Sequence, residues 1–407
     1  MEAAPAELLA PREQDHVKNR QGDRFISIDA FRALTLLLML FVNDFGTLRN
    51  IPDWLKHTEA AEDGMGFSDV IFPAFLFIVG LSVPIAIGNR LKRSPSSAAV
   101  AGHILLRALA LLVMGVFHVN LGNYSPEAII SRPAFQVLST VSFFLIWLDY
   151  ARDSRRLKLA GQWTGIVLLL VLAAIYRGTS PQGEVWLQPK WWGILGLIGW
   201  SYLICSLIYL WSSGRMRVLV ISFFAFMLLN AAVHLGLLDS LAGLRAVTTK
   251  VGDGAMPGMV MAGAITTLVY RKGDYKVFFY YALTASLVLI AFGLLTRPVW
   301  EISKIRATPS WTAICTGISV FCFAVLAYAA DLKGSVRWYQ WIRPAGVSTL
   351  TCFLLPFIHD AILQVVDYRL PLVLRTGLAG LSKSMLFSLL IIALAGWLGK
   401  RRIRLRL

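Results

Sequence analysis

The chain has 407 residues, 57% of them hydrophobic and only 15% charged, with a formal net charge of +16 and a mean hydropathy of +0.65. A soluble globular chain is closer to about 45–50% apolar, so this composition excludes a soluble enzyme and predicts an all-α, polytopic transmembrane helix bundle. The positive charge gathers in the connections between apolar runs and not on one basic face, which argues against nucleic acid as a partner and for charges that hold loops on one side of a bilayer.

Residues 1–23 are polar and of mixed charge, without the apolar core of a cleaved leader. We expect a disordered cytoplasmic tail there, followed by a single transmembrane domain over 24–407. Apolar runs close to the ~20 residues that cross a bilayer core predict 11 to 12 spans. Their expected positions are 26–45, 68–89, 98–119, 134–150, 158–176, 192–211, 217–236, 254–270, 277–296, 309–331, 344–366 and 382–399. Basic clusters such as Arg90/Lys92/Arg93, Arg155/Arg156/Lys158 and Lys400–Arg406 fall at alternate ends of these spans. That alternation assigns both termini to the cytoplasm and the connection after the first span to the opposite side. Cys205, Cys315, Cys322 and Cys352 lie within expected spans, and no disulfide is expected.

In the first span Asp29, Arg32 and Asn43 share one helical face, with Asp44 next to it. A charged side chain deep in a membrane costs at least ~2.5–3.5 kcal/mol on insertion scales, so such groups are candidate functional residues. Asp29 and Arg32, three residues apart, are also placed to pair with each other. The following loop brings His57, Glu59, Glu62 and Asp63, and the second span opens on Asp69. His57 can take and return a proton near neutral pH, with Asp69 or the loop acids to orient it.

Three further histidines, His118, His234 and His359, fall at the outer ends of their spans, where they could share one polar cavity with His57. No close His spacing or thiolate accompanies them, so no metal is expected. Lys304 and Arg306 precede Thr308-Pro309-Ser310-Trp311, in which Thr308 suits a helix N-cap and Pro309 the first turn. The pair of cations beside a helix start makes a place for negative charge. Trp311 is otherwise read as an interfacial anchor.

Arg24-Phe-Ile-Ser-Ile-Asp29-Ala-Phe-Arg32, Phe41-Val-Asn43, the loop His57 and Asp69-Val-Ile-Phe-Pro73 through Ser82 together resemble the heparan-alpha-glucosaminide N-acetyltransferase family and its bacterial relatives. The Thr308–Trp311 block is similar to a second motif of that family. The resemblance implies an integral-membrane acyltransferase that moves an acetyl group from cytoplasmic acetyl-CoA to a sugar amine or hydroxyl across the membrane. It implies His57 and Asn43 as catalytic, with Asp44, Asp69, Asp29 and Arg32 in support. Lys304, Arg306, Trp311, His359, Arg24, Arg90 and Arg93 are then expected to bind substrate or CoA, the last three at its nucleotide end. The acids of the His57 loop depart from the family pattern and favour a cationic acceptor such as a free amino sugar. Expected partners are acetyl-CoA, a sugar or glycan acceptor and the lipid bilayer, with a homodimer left open and a bacterial inner membrane as the location. The alternative is a multi-pass transporter or flippase of a polar or glycan-linked molecule, and a noncatalytic scaffold would leave the polar stripe without a use.

Overall fold

In a bilayer core the backbone N–H and C=O groups find no water, so an apolar run satisfies them within a helix. The computed structural model describes residues 25–407 apart from 95, 152, 153, 182, 191, 192, 242, 244–246 and 369. The expected tail and Arg24 lie outside the described residues.

The first six helices are α1 (Ile26–Asn43), α2 (Ser68–Arg93), α3 (Ser97–Asn120), α4 (Arg132–Trp147), α5 (Arg155–Ala174) and α6 (Ile194–Trp211). They are followed by α7 (Met216–His234), α8 (Ala255–Tyr270), α9 (Tyr275–Leu295), α10 (Pro309–Leu326), α11 (Arg337–Val347), α12 (Thr349–Val366) and α13 (Gly377–Lys400). Ten of the helical stretches among the described residues are long and apolar enough to cross a membrane. With α4 and α8, each of 16 residues, every expected span falls on a helix. The protein is an all-α, multi-pass membrane bundle.

Its centre is α8, buried along nearly its whole length and flanked by α2, α7, α6 and α10. The α2–α8 contact depends on two glycines. A Cβ on Gly80 would stand 1.9 Å from the Val260 carbonyl oxygen, and one on Gly263 would stand 2.1 Å from that of Phe77. Small residues let membrane helices approach this closely. The flanks are different in character: α5, α7 and α9 bury little of their length and present apolar side chains outward, as lipid-facing helices do.

One element was not expected. The apolar run at 344–366 is broken at Ser348, and the residues before it form the amphipathic α11, packed on α1. At the same end of the bundle, Asp331 accepts from the Ser27 N–H at 3.1 Å and the Tyr270 hydroxyl at 2.6 Å. There too the chain after α13 returns to α4, where Leu405 bridges Leu148 in an antiparallel register. At the other end, β1 (Gly178–Ser180) and β2 (Gly183–Val185) form a short hairpin between α5 and α6. The loop carrying His57 lies at that same end.

Candidate active site

Asp69 sits in the first turn of α2, where the unpaired N–H groups of a helix start favour a carboxylate. It is fully buried, and the loop before it folds over its side chain. Oδ2 accepts from the backbone N–H groups of Thr58 and Gly66, each at 3.0 Å. Oδ1 lies 2.7 Å from His57 Nδ1. A carboxylate only accepts, so we assign the proton to Nδ1, which leaves Nε2 free to take another. The fold of the loop needs Gly66 as glycine, because a Cβ there would come within 1.9 Å of the Lys56 carbonyl oxygen.

The second half of the site arrives from residues 297–311. The Thr308 side chain caps α10 by accepting from the Trp311 N–H, with Pro309 in the first turn. Trp311 is fully buried and its Nε1 donates to the Asp69 carbonyl at 3.3 Å. It is therefore a packing and positioning residue beside the dyad, not an interfacial anchor. Lys304 Nζ stands 3.0 Å from His57 Nδ1 and 3.6 Å from Asp69 Oδ1. Burial pulls the Lys304 ammonium below its ordinary pKa, more than the neighbouring Asp69 carboxylate restores. The site thus holds a histidine, a buried carboxylate and a poorly solvated amine side by side, with Asp69 Oδ1 facing both the His57 Nδ1–H and the Lys304 ammonium.

These residues open onto a cavity of ≈ 570 Å³, within the range of about 300–1,000 Å³ usual for small-molecule sites. Asn43 lies on its wall with His57, Lys304, Arg306 and Trp311. Met39 and Val42 from α1, and Ile71 and Phe72 from α2, form its apolar side.

The other expected site residues stand elsewhere. Asp44, one position round the helix from Asn43, turns to α13 and pairs with Lys383 and Ser384. Asp29 and Arg32 pair with each other at 3.0 Å toward the opposite end of α1. Arg32 also donates to Ser82 Oγ at 2.7 Å and to the Gly346 carbonyl at 3.2 Å. Those contacts tie α1 to α2 and α11, and neither residue lines the cavity. Arg90 and Arg93 close α2 at its far end, about 32–36 Å along the helix from Asp69 at 1.5 Å per residue.

The three additional histidines do not converge on His57. His118 is buried against Phe143 and stacked on Phe357, with ring centroids 3.9 Å apart. His359 pairs with Asp360 and packs on Phe387 of α13. His234 alone comes near, its Nδ1 facing the Asn230 carbonyl and its Nε2 the Arg306 carbonyl, each at 2.9 Å, and a protonated ring nitrogen donates to either. It braces the loop that presents Lys304. Among the described residues no group of His, Cys, Asp and Glu is arranged to hold a metal ion.

The acids of the His57 loop also have structural partners. Asp63 accepts from Arg297 Nε and from the Ile302 N–H, each at 2.8 Å, while the Gly64 N–H donates to the Ile302 carbonyl at 2.9 Å. Glu62 accepts from the Glu59 N–H at 3.4 Å. Asp63 is thus a clamp between two loops. Among the described residues that line the cavity the carboxylate is Asp253, while Asp69 is buried behind His57. Asp253 lies in a left-handed stretch, with Gly252, Asp253 and Gly254 all at positive φ. The sequence carries a signal for it, a Gly-Asp-Gly triplet just before an apolar run.

Residues 24–125 match the family model for heparan-alpha-glucosaminide N-acetyltransferase, catalytic. The chain is 30% identical over 150 residues to the Mus musculus heparan-alpha-glucosaminide N-acetyltransferase, covering 36% of this chain and 22% of the relative. It is 30% identical over 175 residues to the Homo sapiens protein of that name, covering 39% and 26%. These matches support a relationship at the level of the family. The chain aligns with about a quarter of the length of these curated relatives.

Proposed function

We propose that this multi-pass membrane protein, with 24–407 acting as one transferase unit, carries an acetyl group from acetyl-CoA to the amine or hydroxyl of a sugar or glycan. On this reading it works in a bacterial inner membrane with the donor arriving from the cytoplasm. The observation that carries it is the His57–Asp69 pair opening onto the same cavity as Asn43.

The chemistry follows from the donors and acceptors present. Asp69 holds His57 in the tautomer whose Nε2 accepts a proton, so the imidazole removes the proton from the acceptor amine as its nitrogen attacks the thioester carbonyl carbon. The Asn43 side-chain amide and the Lys304 ammonium are placed to donate to the oxygen that gains negative charge. The new C–N bond forms, the C–S bond breaks, and the proton on His57 passes to the departing thiolate. Asp253 supplies a carboxylate on the cavity wall for an amino sugar arriving as its ammonium ion, which releases one proton to water before its nitrogen attacks, a role the sequence suggests for the acids of the His57 loop.

The test is transfer of radiolabelled acetyl from acetyl-CoA to a panel of amino sugars by the purified protein. His57→Ala should lower the rate by about 10²–10⁴-fold and Asn43→Ala by about 10²–10³-fold, with both variants folded. Wild-type rates in both variants would remove the assignment. The transporter alternative has one feature in its favour, the broken backbone at 251–254 beside the cavity. It requires substrate movement into vesicles with no acetyl-CoA consumed.

A further inference from the structure

A second cavity, of ≈ 720 Å³, lies at the end of the bundle away from His57, between the end of α4, the start of α5 and the chain after α13. Among the described residues Lys158, Arg402, Arg404 and Arg406 line it, against one carboxylate, Asp149. Positive charge at this end is what membrane topology alone would place there, and Lys92 and Arg93 meet that description as exposed side chains. The four around the cavity differ because a built scaffold makes them converge.

That scaffold is backbone pairing. The Asp149 N–H donates to the Arg404 carbonyl at 2.9 Å, and the Arg406 N–H donates to the Trp147 carbonyl at 2.8 Å. The Leu405 N–H, buried between them, donates to Thr351 Oγ1 at 3.0 Å. Asp149 Oδ2 then takes both Nε and Nη2 of Arg404, at 2.9 and 2.8 Å. Asp149 is thereby engaged, while neither Lys158 nor Arg402 forms an ion pair with a described residue. The cavity keeps a surplus of positive charge in a fixed frame.

The neighbouring surface says what kind of anion fits. Lys158 and Gln162, one helical turn apart on α5, line the cavity. Beside them on the same helix runs an exposed apolar stripe of Leu159, Trp163, Ile166 and Leu170. A soluble phosphate compound has use for the cations but none for the stripe, whereas an amphiphile uses both. We propose that this cavity binds the phosphate headgroup of an anionic phospholipid, with the acyl chains lying along the stripe of α5. Basic pockets between helices at a membrane surface are suited to such headgroups, and the proposal stands apart from the acetyl-transfer chemistry.

Native mass spectrometry of the detergent-solubilised protein, titrated with phosphatidylglycerol, phosphatidylcholine or inorganic pyrophosphate, tests it. Phosphatidylglycerol should be retained in preference to phosphatidylcholine, and pyrophosphate at equal concentration should not displace it. The pair Lys158→Gln with Arg402→Asn should weaken retention roughly thirtyfold, and Arg402→Asn alone about fivefold, from the usual contribution of a basic residue at an anionic surface. Asn tolerates the left-handed backbone at Arg402 (φ 62), so the single variant removes charge without adding strain and decides the matter if the pair does not fold. Lys92→Gln, at the same end of the bundle, should leave retention unchanged. Equal binding of phosphatidylcholine, wild-type retention in Arg402→Asn, or an equal loss in Lys92→Gln would overturn the proposal. So would pyrophosphate binding in place of the lipid with the same dependence on Arg402.

Discussion

An imidazole acts as a base only at the nitrogen its partner leaves free. Here the partner is a buried carboxylate with every other direction filled, since the Thr58 and Gly66 N–H groups occupy the second oxygen of Asp69. Asp69→Asn keeps the size of the side chain, but an amide in this position can donate to Nδ1 and so favours the opposite tautomer. We expect acetyl-transfer kcat to fall by about 10³–10⁴-fold, as when the carboxylate orienting a catalytic histidine is replaced by an amide, with circular dichroism unchanged. A rate within a few-fold of wild type would show that the pairing is structural only. Sequence reasoning reached His57 and Asn43 through a resemblance, and named Asp69 as an orienting candidate from its position in the following span. The same resemblance sets Asn43 as catalytic and Asp44 as its support, but it carries nothing on which way each side chain faces. The two are neighbours in sequence, yet 100 degrees apart round the helix end, and only the packing of α13 shows that Asp44 faces Lys383.

At the level of elements, the site is assembled from two connections that meet only in three dimensions. The clamp between them is Asp63 with Arg297 and the Ile302 N–H. Burial alone would raise the Asp63 pKa, but the Ile302 N–H and the Arg297 guanidinium outweigh it and hold the carboxyl below its ordinary value. A folded-state value below the unfolded one contributes stability at neutral pH, and that contribution is lost as pH falls through the folded value. The pair is partly exposed, at 48% for Arg297 and 34% for Asp63, so the effect is small. Asp63→Asn should lower stability by about 0.5–1 kcal/mol at pH 7. In thermal melts from pH 7 down to pH 3, the gap between variant and wild type should narrow. A constant gap, or none at pH 7, would count against the clamp.

The helices were legible because uninterrupted apolar runs allow little else in lipid, and the Thr308 cap because its chemistry is local. What escaped was tertiary or masked by composition. The amphipathic α11 merges in sequence with the apolar run of α12, and the break at Ser348 leaves no obvious mark. The sequence supports two readings of Trp311, a residue that binds substrate or CoA and an interfacial anchor, while its burial against α2 depends on a helix some 240 residues away in sequence.

For the whole molecule, alternating helices place His57 at one end and the basic connections after α2 and α4 at the other. A cysteine introduced at Glu62 should react with a membrane-impermeant thiol reagent added to intact cells, and one introduced at Lys92 should react only after the cells are opened. Labelling of both from the same side would refute the expected topology. The native cysteines are a weak background, three buried and one half-buried.

The reach from His57 to Lys304, 247 residues, also has a meaning in time. A ribosome adds about 5–20 residues per second, so the base on the first loop waits on the order of 10–50 s for the segment that completes its surroundings. During that interval the nascent chain holds a histidine and a carboxylate but no Lys304 or Trp311 beside them. The candidate catalytic site therefore comes into being only as the tenth helix emerges, and a chain released early carries the imidazole without the enclosure around it.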